Sequence, residues 1–226
     1  MTTALPKTNT AEATNEGLNP YETRVLLKGV SWETYERLLV EIGDSRNQQL
    51  AYRDGILEIM VPLAGHEEPT RLFDDFVAVF VDELGLELRK LGSLTMKDPQ
   101  QQMGLEPDCC FYIANESVVR GIDTLDFSVH PPPDLVVEVD NSSLSLGKLP
   151  IYQALRIPEI WRLRQGELMI LQLDAEQSGY VETDKSLVFP QLPVRELPLF
   201  IERAKVIGQR AAVRELAERV RQALAE

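Results

Sequence analysis

A chain of 226 residues, 44% hydrophobic and 26% charged, carries enough apolar material for one domain-sized core, so it needs no disulfide or metal staple to fold. The formal net charge of −13, with a pI near 4.7, argues against a protein that coats nucleic acid non-specifically, because phosphate binding runs on Lys and Arg; an enzyme with a locally basic groove stays open. The two cysteines, Cys109 and Cys110, are neighbours that would point to opposite faces of a strand, so they read as buried thiols in a reducing, cytoplasmic compartment.

Residues 1–20, rich in Thr, Asn, Ala and Glu, have no apolar core and read as a tail, neither signal peptide nor membrane segment. No apolar run approaches the roughly 20 residues that a spanning helix needs. Ser31 followed by Trp32, Glu33 and Thr34 looks like a helix cap, opening a helix to about Ile42. Strands from Gln48 to Arg53 and from Ile56 to Val61 flank Asp54-Gly55, a strong hairpin signal, and Pro62 is expected to end the second. Phe73, Phe76, Val77, Phe80 and Leu84 fall at helical spacing between Glu67 and Leu84, with Gly85 just past the end. Strands are expected over Leu86 to Leu91, Cys109 to Ile113 and Leu135 to Val139, then a helix over Leu144 to Leu155 that stops before Ile157-Pro158. Ile160 to Leu163 and Glu167 to Leu173 form a hairpin around Gln165-Gly166, with Tyr180 to Thr183 a third strand. A long Ala/Arg/Glu/Leu helix runs from about Leu199. This order describes an α+β or α/β mixed sheet flanked by helices, with a β-hairpin extension and a long C-terminal helix. It divides as a tail (1–20), a main domain (21–196) and a helical segment (197–226).

The most informative positions are two Pro-Asp pairs, Pro107-Asp108 and Pro133-Asp134, each opening a strand. Alternation places Asp134, Val136, Glu138 and Asp140 on one face of the second strand, an odd pattern in so apolar a segment. Asp134 and Glu138 lie roughly 13 Å apart along the strand, at about 3.3 Å per residue, too far to share one cation. Two ligands of one Mg²⁺ each bind at about 2.1 Å. Asp108 can join Glu138 instead, since neighbouring strands are about 4.8 Å apart, and Asp140 is within side-chain reach. Asp134 then caps or hydrogen-bonds the loop after Pro131-Pro132-Pro133. The bland alternative is turn chemistry at strand starts, with Glu138 a salt-bridge partner.

At these residues the chain resembles a known family. The runs Gly55 to Glu67, Glu106 to Ile113, Pro133 to Val139, Lys148 to Tyr152 and Ile157 to Trp161 are similar to those of the restriction endonuclease family called Uma-two, over roughly Val30 to Leu173. The resemblance implies membership of the PD-(D/E)XK nuclease superfamily: a restriction-endonuclease-like mixed sheet, and Mg²⁺-dependent (or Mn²⁺-dependent) hydrolysis of DNA phosphodiester bonds. Asp108 takes the place of the first metal-binding carboxylate and Glu138 that of the second. His66 or Glu67 matches the group that often completes the site. One departure is plain: the superfamily has Lys two residues after the Glu, and here that slot is Asp140. Either Lys148 supplies the ammonium from the start of the next helix, or Asp140 is a third metal ligand and the cation is missing. The resemblance therefore carries an alternative, a catalytically inactive nuclease-fold binding or regulatory protein, which the acidic pI and Asp140 both favour.

Other residues have plainer readings. His66 sits where an ordinary loop or cap histidine would, and with His130 the only other histidine and no Cys-x-x-Cys, zinc is not expected. Trp161 and Arg162 could stack on bases, but a strand Trp is more often core. Val206, Val213, Leu216, Val220 and Leu224 give the last helix an apolar stripe for packing on the domain or on a second copy. Proteins of the superfamily often act as dimers, so a homodimer is expected.

Overall fold

The computed structural model describes residues 22–43, 47–140 and 146–225. Eleven strands and six helices follow in the order β1 (Glu22–Lys28), α1 (Trp32–Ile42), β2 (Gln49–Arg53), β3 (Ile56–Pro62), α2 (Ala64–Leu84), β4 (Arg89–Lys90), β5 (Met96–Asp98), β6 (Met103–Leu105), β7 (Cys109–Tyr112), α3 (Glu116–Val119), β8 (Leu135–Val139), α4 (Leu149–Ala154), β9 (Glu159–Arg164), β10 (Glu167–Leu173), β11 (Tyr180–Thr183), α5 (Leu197–Ile207) and α6 (Gln209–Ala225) among the described residues. The class is the expected α+β, but the strands form two sheets, in the orders β1-β3-β2-β6-β5 and β11-β10-β9-β8-β7-β4. Only β8 and β9 pair in parallel among the described strands, so the second sheet is mixed.

Local chemistry accounts for the elements that were expected. Ser31 Oγ accepts the Thr34 amide at 3.2 Å and caps α1. Asp54 and Gly55 both have positive φ, as the tight turn requires, and so do Gln165 and Gly166. Gly85 ends α2 in the left-handed conformation.

Several boundaries differ. The β1 strand was not expected, because its inward face carries Glu22 and Arg24. The predicted strand over Leu86 to Leu91 shrinks to Arg89–Lys90, and α2 begins three residues early, at Ala64. Part of the predicted Leu144–Leu155 helix lies outside the described residues; within them the helix is Leu149–Ala154. Gly208 breaks the C-terminal helix into α5 and α6.

Each face of the six-stranded sheet has its own core. On one side Val137, Val139, Phe111 and Trp161 pack with Phe73, Phe76 and Phe80 of α2, and with Leu197, Ile201, Val213, Leu216 and Val220 of α5 and α6. Val213, Leu216 and Val220 of the predicted stripe are therefore covered by the chain's own core, while Val206 and Leu224 are exposed. On the other side Cys110, Val136 and Ile160 meet Ala51, Met96 and Leu105 of the five-stranded sheet, and Ile151 and Tyr152 of α4. Packed against Leu50, Tyr52 and Leu57 of the five-stranded sheet are Trp32 and Tyr35 of α1. Cys109 and Cys110 are free and buried, one in each of the first two cores, as strand alternation required. No helix among the described residues is long and apolar enough to cross a membrane.

Candidate active site

Antiparallel pairing of β7 with β8 aligns Cys109 with Val137 and Cys110 with Val136. One further step in that register sets Asp108 opposite Glu138, on the face shared with Cys110 and Val136. Both carboxylates are buried, at 3% and 8% exposure, between the two sheets. Asp108 Oδ2 accepts the Val139 amide at 2.7 Å, so this side chain continues the strand pairing where the β7 backbone leaves it.

The Glu138 carboxylate is held from α4. Lys148 Nζ lies 3.0 and 2.8 Å from its two oxygens, and the Tyr152 hydroxyl donates to Oε1. These two residues are four apart, one turn of helix, so a single helical face delivers both. Tyr152 closed one of the family-like runs but was given no role from the sequence; its spacing from Lys148 was the signal that could have assigned it.

His66, the third residue of α2, places Nε2 3.3 Å from Asp108 Oδ2 and 3.9 Å from Glu22 Oε2. These are contact distances without hydrogen-bond alignment: both imidazole nitrogens, Glu22 Oε2 and Asp108 Oδ1 are buried without a partner among the described residues. Glu67, the alternative named from the sequence, instead pairs with Arg71 at 3.2 Å on the helix surface. Asp140 is bound by Arg162, which stands beside Glu138 in the parallel β8–β9 register. Asp134 receives the amides of Ile113 and Asn115 at 2.7 and 3.0 Å and the Asn115 side chain at 2.6 Å. It thus secures the loop after β7 rather than the proline run. Trp161 is core, with its indole N–H on Glu159 at 2.6 Å.

Around this group lies a second ionic layer that the sequence did not reveal. Arg24 donates to Glu22 at 2.9 and 3.2 Å and to Glu58 at 2.6 Å, and Glu58 Oε2 accepts the Leu146 amide at 2.6 Å. Nothing local in the sequence marks this layer, because Glu58 meets Arg24 and the Leu146 amide, 34 and 88 residues away.

The electrostatics follow from burial set against charge. Burial pushes the Glu138 carboxyl up and Lys148 pulls it down, yet with Asp108 opposite, the net direction is upward. Burial also opposes the Asp108 anion, but His66, Lys148 and the Val139 amide outweigh it and hold this carboxyl below its ordinary range. For Lys148, burial is outweighed by Glu138, Asp108 and Glu58, so its ammonium is retained more strongly than in water. His66 is likewise raised, against burial, by Asp108, Glu22 and Glu138. Tyr152 is pushed well up, first by burial and then by Glu138, and stays a donor.

As they stand, no three His, Cys, Asp or Glu side chains among the described residues form a metal cage. What is present is a pair of opposed carboxylates beside an ammonium and an imidazole, with one oxygen of Asp108 uncommitted. A groove of about 830 Å³ lies elsewhere, against Pro150, Gln153 and Arg156, and does not include these groups.

Fold and site together define an α+β protein with a buried carboxylate–lysine centre between two sheets. The chain belongs to the Uma2 family, described as "Putative restriction endonuclease", whose model matches residues 32–201. No curated protein matches it. Among solved structures it is similar to one described as a "putative nuclease belonging to DUF820" from Anabaena variabilis, at 13% identity and a TM-score of 0.45, covering 81% of this chain and 99% of that one.

Proposed function

We propose that this protein is a metal-dependent endonuclease that hydrolyses DNA phosphodiester bonds at the Asp108–Glu138–Lys148 centre, with Mg²⁺ or Mn²⁺ as cofactor. The observation that carries the reading is the approach of Lys148 Nζ to Glu138 at 2.8 Å, opposite Asp108. It supports Lys148 as the cation in place of the residue at Asp140. The donor set fits a hard divalent ion: Asp108 is held ionised, its Oδ1 is buried and uncommitted, and an oxygen-rich neighbour faces it. Asp108 and Glu138 would hold the ion, with Asp140 a further acidic group bound to Arg162. When bound, such an ion lowers the pKa of a coordinated water and offsets charge on phosphate oxygens.

The protein's own groups divide the remaining work. Lys148, released from part of its contact with Glu138, orients the attacking water or neutralises charge developing on phosphate. Tyr152 keeps Glu138 aimed at Asp108 while Lys148 moves. We assign proton exchange beside Asp108 to His66 rather than Glu67, because its Nε2 stands 3.3 Å from Asp108 Oδ2 whereas Glu67 pairs with Arg71. The test is nicking of supercoiled plasmid in Mg²⁺ or Mn²⁺ by wild type, Asp108→Asn, Glu138→Gln and Lys148→Met. A steep fall in nicking, to a small residual rate, is expected in all three variants, and equal nicking by all four proteins sinks the assignment.

A second reading, a nuclease-fold binding or regulatory protein without turnover, is favoured by one observation. Lys148 and Tyr152 already satisfy Glu138, and Arg162 satisfies Asp140, so the site balances its charges without a metal. Calorimetric Mn²⁺ titration separates the two: the endonuclease reading requires saturable binding that Asp108→Asn abolishes.

A further inference from the structure

The Lys148 ammonium meets Glu138 from a helix start on another element, and this raises the question of what holds it there. A lysine two residues after Glu138 would have its position set by the strand itself, about 6.6 Å along it. A lysine ten residues on has no such constraint, and its stem is long and flexible. The constraint lies in the other sheet. Glu58 Oε2 accepts the Leu146 amide at 2.6 Å, and Arg53 Nη1 donates to the Gly147 carbonyl at 2.9 Å. The Lys148 carbonyl in turn accepts the amides of Ile151 and Tyr152 at 2.9 and 3.1 Å. Residues 146 to 148 are thereby pinned from the β2–β3 hairpin on one side and α4 on the other.

Glu58 is 1% exposed, and a carboxylate so buried persists only when its oxygens are bonded. One oxygen is satisfied by Arg24, itself tied to Glu22, and the other is committed to the amide two residues before Lys148. Pairing in the sheet places Glu58 beside Ala51 and Leu26, on the face that looks toward α4 and β8.

We propose that Glu58, supported by Arg53, is a positioning residue that sets the Lys148 ammonium on Glu138. It touches neither substrate nor reacting atoms and acts through the backbone that leads into Lys148. This rests on Lys148 being the cation of the proposed hydrolysis. Two readouts test it on the full chain. In ¹H–¹³C spectra of protein labelled at lysine Cε, the Lys148 signal, assigned by its loss in Lys148→Met, is expected to stand apart from exposed lysines. It should move toward them in Glu58→Gln. In single-turnover cleavage of a labelled duplex, Glu58→Gln should lower kcat roughly 10- to 100-fold, the order expected of about 1 Å of misplacement, with KM within about twofold. In a Lys148→Met background the same change should cost less than about threefold, because nothing is left to position. Arg53→Met should show a smaller loss of the same kind, and it replaces Glu58→Gln if that variant loses the wild-type circular dichroism. An unchanged Lys148 signal overturns the proposal whatever the activity does. So do effects that multiply fully in the double variant. Wild type without turnover refutes Lys148 as catalytic cation and takes the positioning role with it, whereas active wild type with an unmoved signal refutes the positioning role alone.

Discussion

Replacing Lys148 with Met removes the ammonium from a carboxylate whose only other side-chain donor among the described residues is Tyr152. Breaking a buried ion pair by deleting one partner costs about 3–5 kcal/mol. The retained tyrosine bond argues for the lower end, about 3 kcal/mol at pH 8, or a fall in Tm of roughly 6–12 °C for a chain of this size. The penalty depends on pH, and its sign is determined. Glu138 is already raised above its ordinary 4.5 by burial, and losing Lys148 removes the strongest influence holding it down. A group whose folded pKa lies above the unfolded value contributes stability below the unfolded pKa and loses it as pH rises through the folded one. In the variant, Glu138 escapes its uncompensated charge by taking a proton, which at pH 5 costs only about 1 kcal/mol at 1.36 kcal/mol per unit. Urea unfolding of wild type and Lys148→Met in EDTA, at pH 5 and pH 8, measures the difference. The expected gap is about 1 kcal/mol at the lower pH and about 3 at the higher. Equal gaps at both, or none at pH 8, would refute an ionised, Lys148-compensated Glu138.

Two further outcomes test the fold around the site. A Cβ at Gly104 would stand 2.5 Å from the Tyr35 hydroxyl and 2.9 Å from its ring, so Gly104→Ala should destabilise by about 1–3 kcal/mol in urea titration, and a stability equal to wild type contradicts the packing of α1 on β6. Burial raises both thiols, Cys110 to about 12, so neither should react with a thiol reagent at pH 8 until denaturant is added; prompt reaction of the native protein contradicts the two-core arrangement.

What the sequence made legible was what short-range chemistry decides. The Asp54-Gly55 and Gln165-Gly166 turns, the Ser31 cap, Gly85, and the strand over Leu135–Val139 all follow from neighbours in the chain. Reach arithmetic on two strands was enough to oppose Asp108 to Glu138 and to release Asp134 for a loop. β1 was missed because Glu22 and Arg24 turn inward, where Arg24 pairs with Glu58, 34 residues away, and an inward charge looks like a surface one until its partner is known. The Asp140–Arg162 pair was hidden for the same reason, and the three-residue strands β5 and β6 were too short to show a period.

The bond from Asp108 to the Val139 amide has a consequence for how relatives of this chain should be compared. The carboxylate to which we assign chemistry also closes a strand ladder, so a copy without hydrolytic activity would still gain from keeping an acceptor there. Selection for folding alone preserves the residue. Finding an aspartate at that position in a related sequence is thus weak testimony for activity; on the function proposed above, a lysine answering to Lys148 says more.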